Sequence, residues 1–369
     1  MKVPFVDLRG QHQRIRAEID EALTRVIDEC AFIGGKSHRA FEQALAQHME
    51  RRHARGVASG TAALAATLRF LRLEPGDEVI TTALTAVPTA EAITLAGGRV
   101  VFADLEPGTY QIDPDHVASL ITPRTTALLP VHLYGLSARI DALLEIAGRH
   151  DLPVVEDVAQ AQGARFATRR LGSFGLAGCL SFFPSKNLGG FGDGGAVVTD
   201  DDEVARFVGK YCNHGRQEKF THEFEGANER LDGLQAAVLG VKLRYLDEWN
   251  ARRRQVADWY AEELGGVDEL ALPRPIPGCE PVWHLYVVLV PDRDALAKNL
   301  FEAGVDTGLH FPLALHMQPA YAYLGHGVGS FPVAEQVAAH CLSLPMDPFL
   351  TREQVRYVAE RLKAGLLRP

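Results

Sequence analysis

An acid and a lysine that could act on the same small molecule each follow a short apolar run of the sequence. Asp157 comes directly after residues 152–156, and Lys186 lies in a bend that follows residues 180–183. Ligands of open parallel sheets bind beyond the carboxyl ends of the strands, so two such side chains can meet there. A lysine amine forms Schiff bases with carbonyl compounds, and a nearby carboxylate keeps a ring nitrogen protonated. The pair therefore has the parts of a pyridoxal phosphate site.

A candidate anion-binding segment, Ser59-Gly60-Thr61, stands before residues 62–71, whose alanine and leucine content predicts a buried helix. Backbone N–H groups and the helix dipole at such a start attract a phosphate. Each of these features has a simpler alternative. The three residues could be an ordinary helix cap, and Lys186 taken alone could be a solvated loop residue.

Motifs around these residues resemble a known enzyme family. Residues 156–161 are Glu-Asp-Val-Ala-Gln-Ala, and residues 181–189 are Ser-Phe-Phe-Pro-Ser-Lys-Asn-Leu-Gly. Residues 192–195 are Gly-Asp-Gly-Gly, and residues 228–237 are Asn-Glu-Arg-Leu-Asp-Gly-Leu-Gln-Ala-Ala. In this order they resemble the DegT/DnrJ/EryC1/StrS aminotransferases, which are fold-type I enzymes that aminate nucleotide-linked keto-sugars. The resemblance runs nearly from end to end of the chain.

The resemblance implies pyridoxal 5'-phosphate (PLP) as the cofactor and assigns residues to its ring. Lys186 would hold the cofactor covalently and would then move the proton, which makes it the catalytic residue. Asp157 would face the ring nitrogen and keep it protonated. Gln160 would bond the ring hydroxyl, and Ala159 is small enough to lie flat beneath the ring.

The resemblance also assigns the cofactor phosphate. Gly60 and Thr61 would offer backbone N–H groups, and Ser181 would supply a hydroxyl. Asn228 would reach the same phosphate from a neighbouring subunit. The resemblance thus implies a homodimer whose active sites are shared between subunits.

One position departs from the family pattern. Family members usually carry an aromatic side chain that stacks on the outer face of the ring, within the segment that corresponds to residues 83–88. That position aligns with Ala86. Ring stacking is therefore missing here or is supplied from elsewhere.

Candidate substrate residues come from three other segments. By the resemblance, His310 and His316 belong to the segment that borders the substrate cleft. Arg230 could meet a nucleotide diphosphate, although an exposed loop charge is the commoner outcome for such a residue. His132 follows a strand-like run near the inferred site and could serve the substrate or be a buried core histidine. No HExxH or clustered His/Cys pattern occurs, so no metal site is predicted.

The resemblance implies amino transfer from L-glutamate to a nucleotide-linked keto-sugar. The opening segment, residues 3–8, favours members that aminate carbon 3 over those that act on carbon 4. Two alternatives stay open. One is a cyclitol or antibiotic-pathway aminotransferase of the same family. The other is a PLP-binding regulatory protein without turnover, which the alanine at position 86 permits.

The elements that must position these residues alternate between strand and helix. Such alternation predicts an α/β fold with a mainly parallel sheet flanked by helices, and the resemblance implies the fold-type I transferase architecture. We predict a large PLP-binding domain with an N-terminal helix (residues 1–246) and a smaller α+β domain (residues 247–369). The predicted strands are 78–82, 99–103, 126–132, 152–156, 180–183, 196–199 and 285–290; the predicted helices are 14–29, 62–71, 90–96, 140–149, 247–264, 294–303 and 352–367.

Composition excludes several other classes of protein. The 38 basic and 47 acidic residues give a formal net charge of -9, which argues against binding nucleic acid through its phosphates. Five scattered cysteines fit neither a disulfide framework nor a zinc ribbon. We expect no signal peptide, because charge and proline come too early, and no membrane span. The sequence therefore predicts a cytoplasmic protein that acts on small molecules.

Overall fold

Helices and strands alternate along the chain in the computed structural model, which describes residues 1–366. The helices are α1 (Leu8–Arg14), α2 (Arg16–Asp28), α3 (Gly35–His48), α4 (Gly60–Phe70), α5 (Val87–Leu95), α6 (Pro114–Leu120), α7 (Ile140–Arg149), α8 (Asp202–Tyr211), α9 (Gly233–Leu243), α10 (Leu246–Leu264), α11 (Arg293–Glu302), α12 (Pro332–His340) and α13 (Arg352–Leu366). The strands are β1 (His53–Val57), β2 (Glu78–Thr82), β3 (Arg99–Ala103), β4 (Thr125–Leu129), β5 (Val155–Asp157), β6 (Arg165–Phe166), β7 (Arg169–Arg170), β8 (Ala177–Ser181), β9 (Gly195–Thr199), β10 (Arg216–Glu218), β11 (Thr221–His222), β12 (Cys279–Glu280), β13 (Tyr286–Leu289) and β14 (Cys341–Leu344). Within residues 1–366, no helix combines the length and the apolar character that crossing a bilayer requires.

The central sheet has the strand order β3-β2-β4-β5-β8-β9-β1. Its two hydrogen-bonded parts, β3-β2-β4 and β5-β8-β9-β1, are joined by parallel bridges from Leu128 to Val154 and from Val131 to Asp157. Strand β9 runs antiparallel to both of its neighbours, and the other pairs are parallel. The predicted mainly parallel sheet is therefore confirmed.

Helices cover both faces of this sheet. Along β2, Val79 packs into a core cluster with residues of α4 and α5, whereas Ile80 packs into one with residues of α7. Along β9, Val197 joins the first cluster and Val198 joins one with residues of α3 and α9. Successive side chains of a strand point to opposite faces, so each strand contributes to two apolar layers.

Most predicted elements are observed with bounds that shift by a few residues. Strands 78–82 and 99–103 and helix 140–149 have the predicted bounds. The prediction missed helices α1, α3, α6, α8, α9 and α12 and strands β1, β6, β7, β10, β11, β12 and β14. The glycines at positions 34 and 35 predict the end of the preceding helix, but they also mark the start of α3. The predicted end of the last helix, residue 367, lies outside the described residues.

The C-terminal part of the chain packs as a smaller group of helices around the β13–β14 pair. The predicted division between residues 246 and 247 falls in the first turn of α10. Residues 3–7, which the prediction assigned to the large domain, lie against the C-terminal part instead. The Val3 N–H donates to the Gly304 carbonyl at 2.8 Å, and the Asp7 N–H donates to Asp347 Oδ2 at 3.0 Å.

Candidate active site

The structure brings Asp157 and Lys186 to the same edge of the sheet. Asp157 is the last residue of β5, and Lys186 lies in the turn that follows β8, the parallel neighbour of β5. The Lys186 N–H closes that turn on the Phe183 carbonyl at 2.8 Å. The carboxyl ends of parallel strands meet at one edge, which is where ligands of such sheets bind.

The Asp157 carboxylate is buried and held by two donors. Its Oδ1 accepts the Ala159 N–H at 3.0 Å, and its Oδ2 accepts the Thr89 hydroxyl at 2.9 Å. Burial raises the pKa of Asp157, and these two hydrogen bonds and the charge of Lys186 oppose that rise. A cation placed beside this buried carboxylate would strongly stabilise its ionised form.

Lys186 is prepared for covalent chemistry by its surroundings. Burial lowers the pKa of its ammonium to about 8, and the negative charge of Asp157 partly opposes that change. A lysine with such a pKa is neutral in a useful fraction of molecules near neutral pH. A neutral amine is the form that attacks a carbonyl carbon.

The start of α4 forms an anion cradle. Ser59 caps this helix, and its Oγ accepts the Ala62 N–H at 3.1 Å, so Gly60 and Thr61 keep backbone N–H groups without a partner inside the helix. A Cβ added to Gly60 would lie 2.7 Å from the Cβ of Ser181. The Ser181 side chain therefore lies directly beside the helix N-terminus, and the two elements together suit a phosphate.

Replacing Gly60 with alanine is expected to raise the dissociation constant of the cofactor by about tenfold or more, because the added methyl group must push Ser181 from the cradle. Equilibrium dialysis of the cofactor-free variant measures the change. Gly148→Ala is the matched control, since that glycine lies within α7 and a Cβ there meets nothing within 4 Å. An unchanged dissociation constant in Gly60→Ala would contradict the cradle.

Gln160 and Ala159 follow Asp157 into the site. The buried Gln160 accepts the Tyr134 N–H on its Oε1 at 2.7 Å, which orients its amide and leaves the NH₂ group to donate. Ala159 is half-buried. Ala86 precedes the first turn of α5 and is also half-buried. Because this residue is alanine, its side chain cannot supply the aromatic ring that the family usually has at this position.

Tyr134 belongs to the site but was not singled out from the sequence. It adopts a φ of 61°, which is rare for a large side chain and marks a position that its surroundings fix. Its N–H holds Gln160, and its hydroxyl donates to the His310 carbonyl at 3.2 Å. At the next residue, a Cβ on Gly135 would lie 2.7 Å from the backbone nitrogen of His284. Because Gly135 has no side chain, the backbone of His284 can pack against it. This glycine is the sequence feature that could have pointed to Tyr134.

The structure places His310 with this group. Its Nδ1 lies 2.8 Å from Ser343 Oγ, and its ring stacks on Phe5 at a centroid distance of 5.4 Å. Burial, together with the positive charge of Lys186, lowers the pKa of His310 to about 4. His310 is thus a neutral, half-buried imidazole near the lysine.

The other two histidines are buried, and His132 lies beside the site, since its backbone N–H donates to the Asp157 carbonyl at 3.0 Å. His316 is 2% exposed, faces Glu335 at 3.0 Å and packs on Phe331, so its role toward a substrate stays a prediction without structural support. His132 is fully buried and faces Glu156 at 3.1 Å. The structure therefore favours the interpretation of His132 as a core histidine.

Asn228 and Arg230 follow the β10–β11 hairpin in an extended segment. Asn228 is exposed and pairs through its backbone with Asn213. Arg230 is half-buried, and its Nη1 donates to Asn213 Oδ1 at 2.9 Å. Asn228 is thus available at the surface of the subunit, while Arg230 is held within its own chain.

The comparisons with known proteins decide the family. The model of the DegT/DnrJ/EryC1/StrS aminotransferase family matches residues 13–363. The chain belongs to this family. The recognition made from the sequence motifs is therefore confirmed, and so are the fold-type I transferase fold and the dependence of this aminotransferase on PLP.

Relatives match this DegT/DnrJ/EryC1/StrS chain over nearly its full length. It is 46% identical over 365 residues to the erythromycin biosynthesis sensory transduction protein EryC1 of Saccharopolyspora erythraea, covering 99% of this chain and 100% of that one. It is 44% identical over 362 residues to the dTDP-3-amino-3,4,6-trideoxy-alpha-D-glucose transaminase of Streptomyces venezuelae, covering 98% and 96%. The crystal structure of S. venezuelae DesV in complex with a ketimine intermediate superposes with a TM-score of 0.97 at 44% identity, covering 100% of this chain and 99% of that one.

The residues of the site fit the cofactor of the family. A cradle that a single Cβ would fill lies at the start of α4, and it suits the phosphate. A buried carboxylate with a raised pKa, Asp157, suits a protonated ring nitrogen. Lys186, with its pKa near 8, suits covalent attachment to the aldehyde carbon of the cofactor.

Proposed function

We propose that this protein transfers the amino group of L-glutamate to a keto-sugar carried by a nucleotide, and that it aminates carbon 3 of the sugar. The observation that carries the proposal is the pairing of Lys186 with Asp157 beside the anion cradle of α4. The transaminase from S. venezuelae, at 44% identity over nearly the whole chain, supports a 3-keto-sugar as the acceptor. The single free cysteines agree with a cytoplasmic setting.

In this proposal, PLP supplies an electron sink that makes the proton on the amine-bearing carbon of the substrate removable. Lys186 would hold the cofactor covalently until an amino donor binds. The Nζ of the freed Lys186 would then accept the proton of the substrate carbon and would donate a proton later in the same half-reaction. A pKa near 8 suits a group that must both accept and donate at neutral pH.

The remaining residues orient the reactants. Asp157 keeps its charge against the ring nitrogen, and Gln160 donates from its free amide nitrogen to the ring hydroxyl. Ala159 leaves room for a flat ring. The N–H groups of Gly60 and Thr61 and the hydroxyl of Ser181 bind the phosphate. His310 lies near the lysine as a neutral imidazole and is proposed to contact the substrate.

We also propose a homodimer in which Asn228 completes the phosphate site of the other subunit. The exposure of Asn228 on its own subunit supports this arrangement. Mixing Lys186→Ala with Asn228→Ala subunits tests it, because a mixed dimer then contains one site with both residues intact. After exchange of subunits, we expect activity above the mean of the two parent variants. Activity that stays at that mean would show that both residues serve one chain.

The pH dependence of cofactor capture follows from the amine of Lys186. Below its pKa of about 8, the neutral fraction grows tenfold per pH unit, so covalent capture by the cofactor-free protein should accelerate with pH and level off above about 8. Asp157 raises this pKa, so Asp157→Asn should move the curve to lower pH. Stopped-flow absorbance measures the rates, and a curve that is flat from pH 6 to about 9 would contradict the assignment.

The substrate is tested by reverse transamination with amino-sugar nucleotides that vary in base and in the position of the amine. Conversion of 3-amino sugars but not 4-amino sugars supports the proposal, and the reverse preference contradicts it. Turnover of aminocyclitols alone would indicate the cyclitol alternative.

A PLP-binding regulatory protein without turnover is the second candidate. The alanine at position 86 permits it, and the name of EryC1, a sensory transduction protein that is 46% identical, agrees with it. The intact Lys186, Asp157, Gln160 and Ser181 argue against it. Such a protein would bind the cofactor covalently but would leave L-glutamate unconverted. Production of 2-oxoglutarate in a single turnover excludes it.

A further inference from the structure

A buried threonine pair links the start of α5 to the carboxylate of Asp157. Thr89 lies in the first turns of α5 and is 1% exposed, and its Oγ1 donates to Asp157 Oδ2 at 2.9 Å. Thr85 lies just before the helix, with its Oγ1 3.2 Å from that of Thr89. Thr89 and Asp157 are 68 residues apart in sequence, so the contact depends on the fold.

We propose that Thr89 is a positioning residue that aims the Asp157 carboxylate at the ring nitrogen of the cofactor and keeps it ionised. The inference rests on the proposed cofactor site and gives the Thr89 hydroxyl a role in cofactor binding. Asp157 takes one donor from the chain that follows its own strand, the Ala159 N–H, and one from α5. Two donors on different oxygens, from different elements, fix the rotation of the carboxylate plane.

The direction of the hydrogen bonds makes the pair a relay. A threonine hydroxyl has one proton, and Thr89 gives it to the carboxylate, so Thr85 must donate to Thr89. A hydrogen bond to the charged form of an acid favours that form. Burial works in the opposite direction at Asp157, and the relay is one of the contacts that offset it.

The relay also connects two features of the site. Ala86, the position that aligns with the missing aromatic group, lies between Thr85 and the helix that carries Thr89. The backbone that sets the outer face of the ring thus also sets the donor to Asp157. A shift of this turn would disturb the outer face of the cofactor site and the Asp157 carboxylate together.

The test compares Thr89→Val, which keeps the shape but removes the hydroxyl, with Thr89→Ser, which restores it. In the cofactor-free protein, ¹³C NMR of the carboxyl carbon should show the pKa of Asp157 raised by about one unit or more in Thr89→Val. The dissociation constant of the cofactor, from equilibrium dialysis, should rise about tenfold or more. Thr89→Ser should restore both values, and Thr85→Val should show a smaller change in the same direction.

Thr81→Val is the matched control. Thr81 is equally buried, but its hydroxyl donates to the Leu129 carbonyl at 2.8 Å, so this variant loses a buried hydroxyl without touching Asp157. Equal effects in Thr81→Val and Thr89→Val would overturn the proposal, as would an unchanged Asp157 pKa in Thr89→Val. If Thr89→Val does not fold, Thr85→Val and Thr89→Ser carry the same comparison.

Asp157→Asn, measured in parallel, separates this inference from the site on which it rests. If Asp157→Asn weakens cofactor binding and Thr89→Val does not, only the role of Thr89 fails. If Asp157→Asn leaves cofactor binding unchanged, the assignment of Asp157 itself fails.

Discussion

Lys186→Ala is expected to lower kcat by at least about 10⁴-fold, since it removes both the covalent anchor of the cofactor and the base that moves the substrate proton. The protein should still fold, because Lys186 lies in a turn that its backbone closes on the Phe183 carbonyl. Cofactor that the variant retains should be released by mild dialysis, and borohydride should fail to attach it to the chain. Mass spectrometry of borohydride-treated protein, combined with initial rates, measures both effects.

Lys242→Met is the control for the loss of a buried lysine. Lys242 is 3% exposed, and burial lowers the pKa of its ammonium to about 8 as well. Its Nζ donates to the Gly189 carbonyl at 2.6 Å and has no proposed role in the chemistry. Borohydride should still attach the cofactor in Lys242→Met. Attachment that survives in Lys186→Ala would show that another lysine holds the cofactor.

Asp157→Asn is expected to lower kcat by about 10²- to 10³-fold, because an amide cannot supply the charge that keeps the ring nitrogen protonated. Oδ1 and Oδ2 accept hydrogen bonds from Ala159 and Thr89, and an amide nitrogen cannot accept either of them. The cofactor should therefore also bind more weakly. Initial rates and equilibrium dialysis measure the two losses.

The neighbouring acid is a matched control with a different expected result. Glu156 is fully buried and accepts the N–H groups of Gly172, Phe174 and Gly175 at 2.7 to 2.8 Å. Glu156→Gln should therefore lower the free energy of unfolding by about 1–3 kcal/mol and leave the cofactor affinity of the folded protein nearly unchanged. If Asp157→Asn and Glu156→Gln lose cofactor affinity equally, the special role of Asp157 is wrong.

The sheet was predictable from the sequence because its signals are local. Strand β2 is buried at every position, and its sequence, Glu-Val-Ile-Thr-Thr, predicts a strand because four of the five residues are β-branched. The helical spacing of apolar residues in α7 likewise fixed both ends of that helix. Asp157 and Lys186 could be placed from the same signals, since both follow such strands and the ends of parallel strands share an edge.

The partners of these residues could not be predicted, because they meet only in the folded chain. Thr89 reaches Asp157 across 68 residues, and Tyr134 reaches His310 across 176. The pattern of α5 shows where the helix lies but not which hydroxyl points at which carboxylate. Sequence motifs also misplace side chains. The motif around His316 predicted a position at the substrate cleft, but its ring is buried against Phe331.

The pairing of residues 3–7 with the C-terminal part bears on how the chain is made. The Asp7 N–H and its acceptor on Asp347 are separated by 340 residues, so residues 3–7 are synthesised well before the residue that holds them. At about 5 to 20 residues per second, that interval is roughly 20 to 70 s. During synthesis the sheet around Asp157 can form long before the N-terminal segment finds its place. The contact between residues 3–7 and Asp347 is then a late step of folding.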